Sequence, residues 1–416
     1  MKATQPTVGP VQSGERIQVL DVLRGFAVFG ILLVNMEFFG APLYRVVTGA
    51  EWWPGTADRV AEWLIRFLAE AKFYSLFSFL FGLGFSLQMA RAAARGVVFT
   101  SLHRRRVFGL MLIGLVHAFL VWYGDILVIY ALMGLVLMLF RRVKDRTLVV
   151  WAVCLLMLPV ALNAALAGLV QTGRRSPQMR ERIERSFAES RAEYERRTEE
   201  SVRAYGQGSY SELAAQRAQD VFFIYSVAII RHLPNVLAMF LLGLYIGRKH
   251  MWENLAQHAA ALRRVAAWGL LIGVPANAVF TVANAMSNPA EPSWGVTLTK
   301  LALALGAPAL CFAYASVLVL LWEDERWCQR LRPLASVGRM ALSNYLLHSL
   351  VCTTLFYSYG LALYGKVGPA LGVLLTLGIY MVQVPLSAWW LARFRYGPAE
   401  WAWRSMTYGR LQPIRI

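Results

Sequence analysis

Charge is scarce in this chain, and acid is scarcest. Only 16% of its 416 residues are charged, with 24 acidic against 42 basic, for a formal net charge of +18. A soluble domain carries about a quarter of its residues charged, so this one cannot clothe a water-facing surface of its size. Cysteine is also sparse. Cys154, Cys311 and Cys352 sit in apolar runs and Cys328 in a charged loop, with neither metal spacing nor a disulfide framework, so no metal is expected. HExxH, P-loop, GxSxG and haem-attachment patterns are absent, as is any glycine fingerprint after a strand, and with them the chemistries those motifs serve. The N-terminus lacks a short apolar segment with a small-residue cleavage site, so the first apolar run is expected to be retained.

What is present is apolar. Hydrophobic residues make up 57% of the chain and the mean hydropathy is +0.47. Runs of about 20 apolar residues recur, as a membrane-crossing helix requires. They are continuous rather than alternating, which excludes a membrane β-barrel. The fold class is therefore all-α, a polytopic helical membrane protein with about ten transmembrane helices, at roughly 19–40, 72–90, 106–123, 125–141, 147–170, 221–247, 265–286, 297–322, 335–357 and 368–392. Basic residues cluster in 91–106, 141–146, 248–264, 326–332 and the tail, while the alternating short loops hold few. That pattern puts both termini in the cytosol. It also accounts for the net charge without nucleic acid as a partner.

Five regions follow: a polar, disordered N-terminus (1–15), a first bundle of five spans (16–171), a soluble helical insert outside the membrane (172–219), a second bundle of five spans (220–394) and an interfacial cytosolic tail (395–416). The insert reads either as a lid or as a solvated linker. Residues 57–71 mix Asp58, Arg59, Glu62, Arg66 and Glu70 with apolar residues, as an interfacial amphipathic helix does. The span at 221–247 carries Arg231, His232 and Pro234 near its middle, so a start near Pro234 fits as well.

Four groups could carry chemistry. Asp21 and Arg24 are three apart and pair on one helix face. Asn35, eleven residues after Arg24, returns to that face after about three turns, and Gly25 lets a second helix approach. The plainer alternative has Arg24 extending to the interface with Asp21 neutralising it. His117 lies in the apolar helix after Arg106, and Asp125 at the following Trp122-Tyr123-Gly124 turn. An imidazole inside a bilayer is costly, and one oriented by a carboxylate is a general base for a hydroxyl. Alternatively, His117 bonds a neighbouring helix and Asp125 caps the turn. Asn344 and His348 share a face at i, i+4, where interhelical hydrogen bonding is the simplest account. In the tail, Glu400 and Arg404 are an i, i+4 pair among tryptophans. They form either an anchor or, with Arg410 and Arg106, a phosphate site.

These segments together resemble the bacterial YeiB-like membrane family. The resemblance runs over nearly the whole length, through Leu20 to Ala27 with Asn35, Lys72 to Ser78 running into Gly82, Gly114 to Ala118 with Gly124 to Leu127, Met239 to Gly243, Gly338 to Leu346, and Gly397 to Trp401. That family is similar to a broader superfamily of transmembrane acyltransferases, including the lysosomal heparan glucosaminide acetyltransferase and the bacterial O-acyltransferases of cell-surface glycans. The resemblance implies transfer of an acyl group, often acetyl, from cytosolic acetyl-CoA or another acyl-CoA to an extracytoplasmic glycan, lipid or small-molecule acceptor, with no tightly bound cofactor. Where the O-acyltransferases place a His eleven positions after the Arg, this chain has Asn35 after Arg24. That departure moves the base role to His117, or means a different or lost activity. The expected roles are His117 and Asp125 as catalytic, with Asp21, Arg24, Asn35, Arg106, Asn344, His348, Glu400 and Arg404 binding substrate. The rival readings are a proton-coupled transporter or lipid flippase, supported by no visible internal repeat, and a non-catalytic protein that binds membrane lipids. A homodimer is left open.

Overall fold

The computed structural model describes residues 17–49, 51–251 and 255–416, so the polar segment expected at 1–15 lies outside the described residues. Apart from one isolated β-bridge, Phe394 to Arg415, the regular structure of the described residues is helical. In chain order the α-helices are α1 (Gln18–Gly40), α2 (Leu43–Thr48), α3 (Thr56–Leu68), α4 (Lys72–Ala94), α5 (Phe99–Val116), α6 (Leu127–Leu137), α7 (Asp145–Gly173) and α8 (Pro177–Gln207). They continue with α9 (Tyr210–Arg231), α10 (Leu233–Arg248), α11 (Ala259–Ala285), α12 (Trp294–Trp322), α13 (Glu325–Arg339), α14 (Ala341–Phe356), α15 (Pro369–Leu391) and α16 (Pro398–Tyr408).

Among the described residues, six helical stretches are long and apolar enough to cross a membrane: α1, α3 running into α4, α7, α11, α12 and α15. The stretches expected to form the other four spans are shorter or broken helices. The run at 106–123 ends in a π-helical turn, and 125–141 holds an eleven-residue α6 followed by a 3-10 turn. The run at 221–247 breaks at His232, so α10 starts at Leu233, as Pro234 in a first helical turn favours. The run at 335–357 is divided at Met340 between α13 and α14. The amphipathic segment forms α3, with no buried residue and with Val60, Trp63, Leu64 and Leu68 exposed along one side.

The spanning stretches divide by what they bury. In α1, 61% of the apolar window is buried, but in α7 only 17%. Outer helices present Leu169, Trp268, Leu271, Met381 and Val382 outward, a surface that water does not tolerate and lipid does. At the centre, glycines permit backbone contact between helices. A Cβ on Gly25 would meet the Leu334 carbonyl oxygen of α13 at 2.1 Å, and one on Gly82 would meet that of Phe240 in α10 at 2.0 Å. The close approach expected of Gly25 is thus the crossing of α1 and α13. The insert is exposed along most of α8 and buried at the end of that helix. Ser201 and Tyr205 of α8 and Leu213 and Asp220 of α9 are fully buried, and Tyr205 and Leu213 join one apolar cluster with Phe39, Trp122, Tyr123 and Tyr357.

Candidate functional site

The chain around His117 folds as it does because a π turn inserts one extra residue. The Trp122 N–H donates to the His117 carbonyl, five residues back, at 2.9 Å. Such turns recur at functional sites. The backbone then becomes extended at Trp122 and bends at Tyr123 before α6 begins. Asp125 serves two elements: Oδ1 accepts from the Val128 N–H in the first turn of α6 (2.9 Å), and Oδ2 lies 2.7 Å from His117 Nδ1. Both expected roles of Asp125, capping and orienting, are therefore present at once. Each side chain is at most 2% exposed. A carboxylate can only accept, so the neutral imidazole carries its proton on Nδ1 and presents a bare Nε2 lone pair. His117 Nε2 is buried and has no hydrogen-bond partner among the described residues. The Tyr345 ring of α14 lies against the imidazole, centroids 5.2 Å apart.

Two cavities flank this pair. The first, of about 270 Å³, is lined by Asp21, Arg24, Arg106, Tyr345, His348, Glu400 and Arg404. Six of the ten expected site residues thus meet there. Asp21 and Arg24 form their expected ion pair at 2.7 Å. Arg106 lies over the Trp403 ring (4.2 Å), and the Trp403 indole N–H donates to the Arg106 carbonyl (2.7 Å). The charges of Arg24 and Arg404 are close enough to act on that of Arg106. Three cations in a confined space attract a polyanion. Glu400 departs from expectation. It accepts from the backbone N–H of Leu342 and Ser343 and from Ser343 Oγ, so it caps α14. Among the described residues it makes no ion pair with Arg404, whose guanidinium lies over Tyr396. Burial raises the Glu400 carboxyl above the usual carboxylate range, and its Ser343 hydrogen bonds oppose this.

The second cavity, of about 370 Å³, is lined by Asn35, Glu37, Tyr74, Trp122, Asp125, His232, Asn235 and Lys300, among others. Ile31 and Ile126 border both cavities. His117 lines neither. It stands between Tyr345, on the first, and Asp125, on the second. The stripe on α1 is likewise shared: Asp21 and Arg24 face the first cavity and Asn35 the second. Asn344 does not join either. Its amide donates to the Val337 carbonyl and Ser387 Oγ, both at 3.1 Å, holding α13 and α15 to α14. His348 is on the first cavity and bonds Gln383 of α15 (2.7 Å), so the interhelical bonding expected of this pair holds for both residues. Sequence reasoning missed Tyr345 and Gln383. The glutamine was findable, because a polar side chain in the middle of an apolar run needs a partner. The tyrosine gave no signal of its own.

Comparison with known proteins adds a lineage. Residues 246–410 match a family model described as protein of unknown function (DUF418). The chain is 38% identical to the uncharacterized protein YxaH of Bacillus subtilis, over 100% of this chain and 98% of that one. It is 30% identical to an uncharacterized 39.9 kDa protein in the amylase 3′ region of Bacillus acidopullulyticus, over 98% of each. It is also 31% identical to the uncharacterized protein YeiB of Escherichia coli, over 94% of this chain and 96% of the relative.

Proposed function

The chain belongs to the YeiB-like family of membrane proteins, and on that premise we propose that it is a membrane-embedded acyltransferase of the bacterial inner membrane. It crosses ten times with both termini cytosolic, and moves an acyl group, acetyl in the simplest case, from cytosolic acyl-CoA to an extracytoplasmic glycan, lipid or small molecule.

One observation carries the reading: a buried His–Asp pair, with a free Nε2, stands in the wall between a cavity edged by arginines, Arg24, Arg106 and Arg404 among them, and a second cavity. In the proposed reaction Arg24, Arg106 and Arg404 hold the donor's phosphates, because guanidinium forks match phosphate oxygens. The acceptor hydroxyl enters from the second cavity. His117 Nε2 takes its proton as the oxygen attacks the thioester carbon, and Asp125 stabilises the resulting imidazolium. The carbon–sulfur bond then breaks and the thiolate leaves, taking that proton to become free CoA. An acyl-histidine intermediate would divide the same balance into two steps. Asn35 from one side and His348 from the other are placed to bind acceptor and thioester. Asn344 is committed to helix packing and drops out of the binding set.

The test is binding and turnover of radiolabelled acetyl-CoA by the purified full-length protein, with His117→Ala beside it. Saturable binding with His117-dependent release of CoA is expected. Absence of binding at millimolar CoA would overturn the reading and favour the transporter.

A further inference from the structure

The insert buries a cation whose hydrogen bonds are not all met. Arg217 of α9 is 1% exposed. Its Nη1 donates to the Phe119 carbonyl at 3.2 Å, inside the π turn that begins at His117. Nε and Nη2 are buried and have no acceptor among the described residues. Among the described residues no carboxylate pairs with it. Asp220, one turn further along α9, accepts from Tyr44 Oη (2.9 Å), Tyr205 Oη (2.7 Å) and Gln216 Nε2 (3.0 Å) instead. A buried guanidinium with two unmet donor nitrogens costs several kcal/mol, so a site that keeps one needs an acceptor that reaches them.

A second group points to the same place. The Tyr357 hydroxyl is buried, unpartnered and within electrostatic reach of Arg217. The Tyr357 ring stacks on Tyr205 at 4.6 Å, which ties it to the insert that carries Arg217. Two guanidinium nitrogens and a phenol hydroxyl, all donors, thus belong to residues at most 1% exposed.

We propose that this cluster is a halide site, which takes one chloride held by Arg217 Nε and Nη2 and by Tyr357 Oη. A monatomic ion is the smallest anion that could accept from all of these donors, and neither cavity described above reaches Arg217 or Tyr357. Because Arg217 also grips the Phe119 carbonyl, an occupied site steadies the π turn and, through it, His117. The inference does not rest on acyl transfer and is testable without a substrate.

The experiment is equilibrium dialysis of the full-length detergent-solubilised protein against radioactive chloride. Thermal unfolding is followed in parallel, in chloride and in gluconate at equal ionic strength. Saturable uptake approaching one chloride per chain is expected, with an unfolding midpoint that climbs with chloride as mass action requires and does not climb with gluconate. Arg217→Gln should abolish both effects. Should that variant fail to fold, Tyr357→Phe removes one donor only and should weaken chloride binding about tenfold, as loss of a hydrogen bond to a charged group does. Absence of saturable uptake, uptake retained in Arg217→Gln, or unchanged affinity in Tyr357→Phe would each overturn the proposal. So would stabilisation by acetate or phosphate where chloride has no effect.

Discussion

Asp125→Asn is the sharpest perturbation of the proposed mechanism, because it separates the two tasks of one side chain. The amide keeps Oδ1 for the Val128 N–H, so the first turn of α6 stays capped and stability should change by no more than about 1 kcal/mol. At the other position an NH2 replaces the oxygen that sits 2.7 Å from His117 Nδ1. Two donors cannot share that contact. The imidazole either rotates away or moves its proton to Nε2, the atom that must be bare to accept a proton. The same carboxylate-to-amide change beside a general-base histidine costs about 10⁴ in turnover in the serine-protease triad. General-base catalysis itself contributes about 10² to 10⁴, or about 3–5 kcal/mol of barrier. CoA release from acetyl-CoA should therefore fall by at least about a hundredfold in Asp125→Asn. The His117→Ala loss should be similar, and the double variant should be hardly worse than either, because the two residues act as a unit. Turnover within about threefold of wild type, in a variant that unfolds at the wild-type temperature, would refute the assignment of His117 as base, since uncoupling orienter from base should cost at least about 10².

Arg404→Gln should raise the KM for acyl-CoA by about tenfold or more with little change in kcat, as loss of a phosphate contact made equally in ground and transition states does; steady-state kinetics checks it. Gly25→Val drives a side chain into the Leu334 carbonyl, 2.1 Å from where its Cβ would sit. The variant should lose about 2–3 kcal/mol, read as a lower unfolding midpoint. Asp220 titrates abnormally: burial pushes its carboxyl up to about 6, opposed by the Tyr205, Tyr44 and Gln216 hydrogen bonds. A folded-state value above the unfolded one means the native protein binds more protons between about pH 4 and 6. Wild-type stability should therefore fall, relative to Asp220→Asn, as pH rises through that window, by about 2–3 kcal/mol in all. Parallel midpoint–pH curves for the two proteins would contradict it.

The membrane class, the Asp21–Arg24 pair, the helix contact at Gly25 and the His117–Asp125 contact were legible because each is local or periodic, resting on runs of about 20 apolar residues or on neighbours three, four or eight apart. What stayed hidden depends on partners distant in sequence. Glu400 reads as an i, i+4 mate for Arg404, yet the N–H groups it accepts from belong to Leu342 and Ser343. The break at Met340, which that cap stabilises, is equally invisible from residues 335–357 alone. Asn344 reads as a site residue and is committed to Val337 and Ser387. The insert reads as polar helix because Arg and Glu dominate 177–207. Its burial depends on a few side chains, Ser201, Tyr205, Arg217 and Asp220, whose partners lie in α2, the π turn and the loop after α14.

The π turn links these levels. In an unbroken α-helix the His117 carbonyl would bond Val121, and Trp122 would continue the helix in register. Bonding Trp122 instead accommodates one more residue, which shifts everything after it by about 100° around the axis. The chain then leaves the helix at Trp122, whose ring stacks on Phe39 of α1 (centroids 3.9 Å apart), and Asp125 is carried back towards His117. That geometry is held from two directions. Asp125 ties the turn to α6 through Val128, and Arg217 ties it to the insert through Phe119. An extra residue in a helix is a local instability that tertiary contacts must hold in place. Two of those contacts end on charged side chains buried at 1–2% exposure, an arrangement costly for mere packing and well suited to fixing one imidazole in the wall between two cavities.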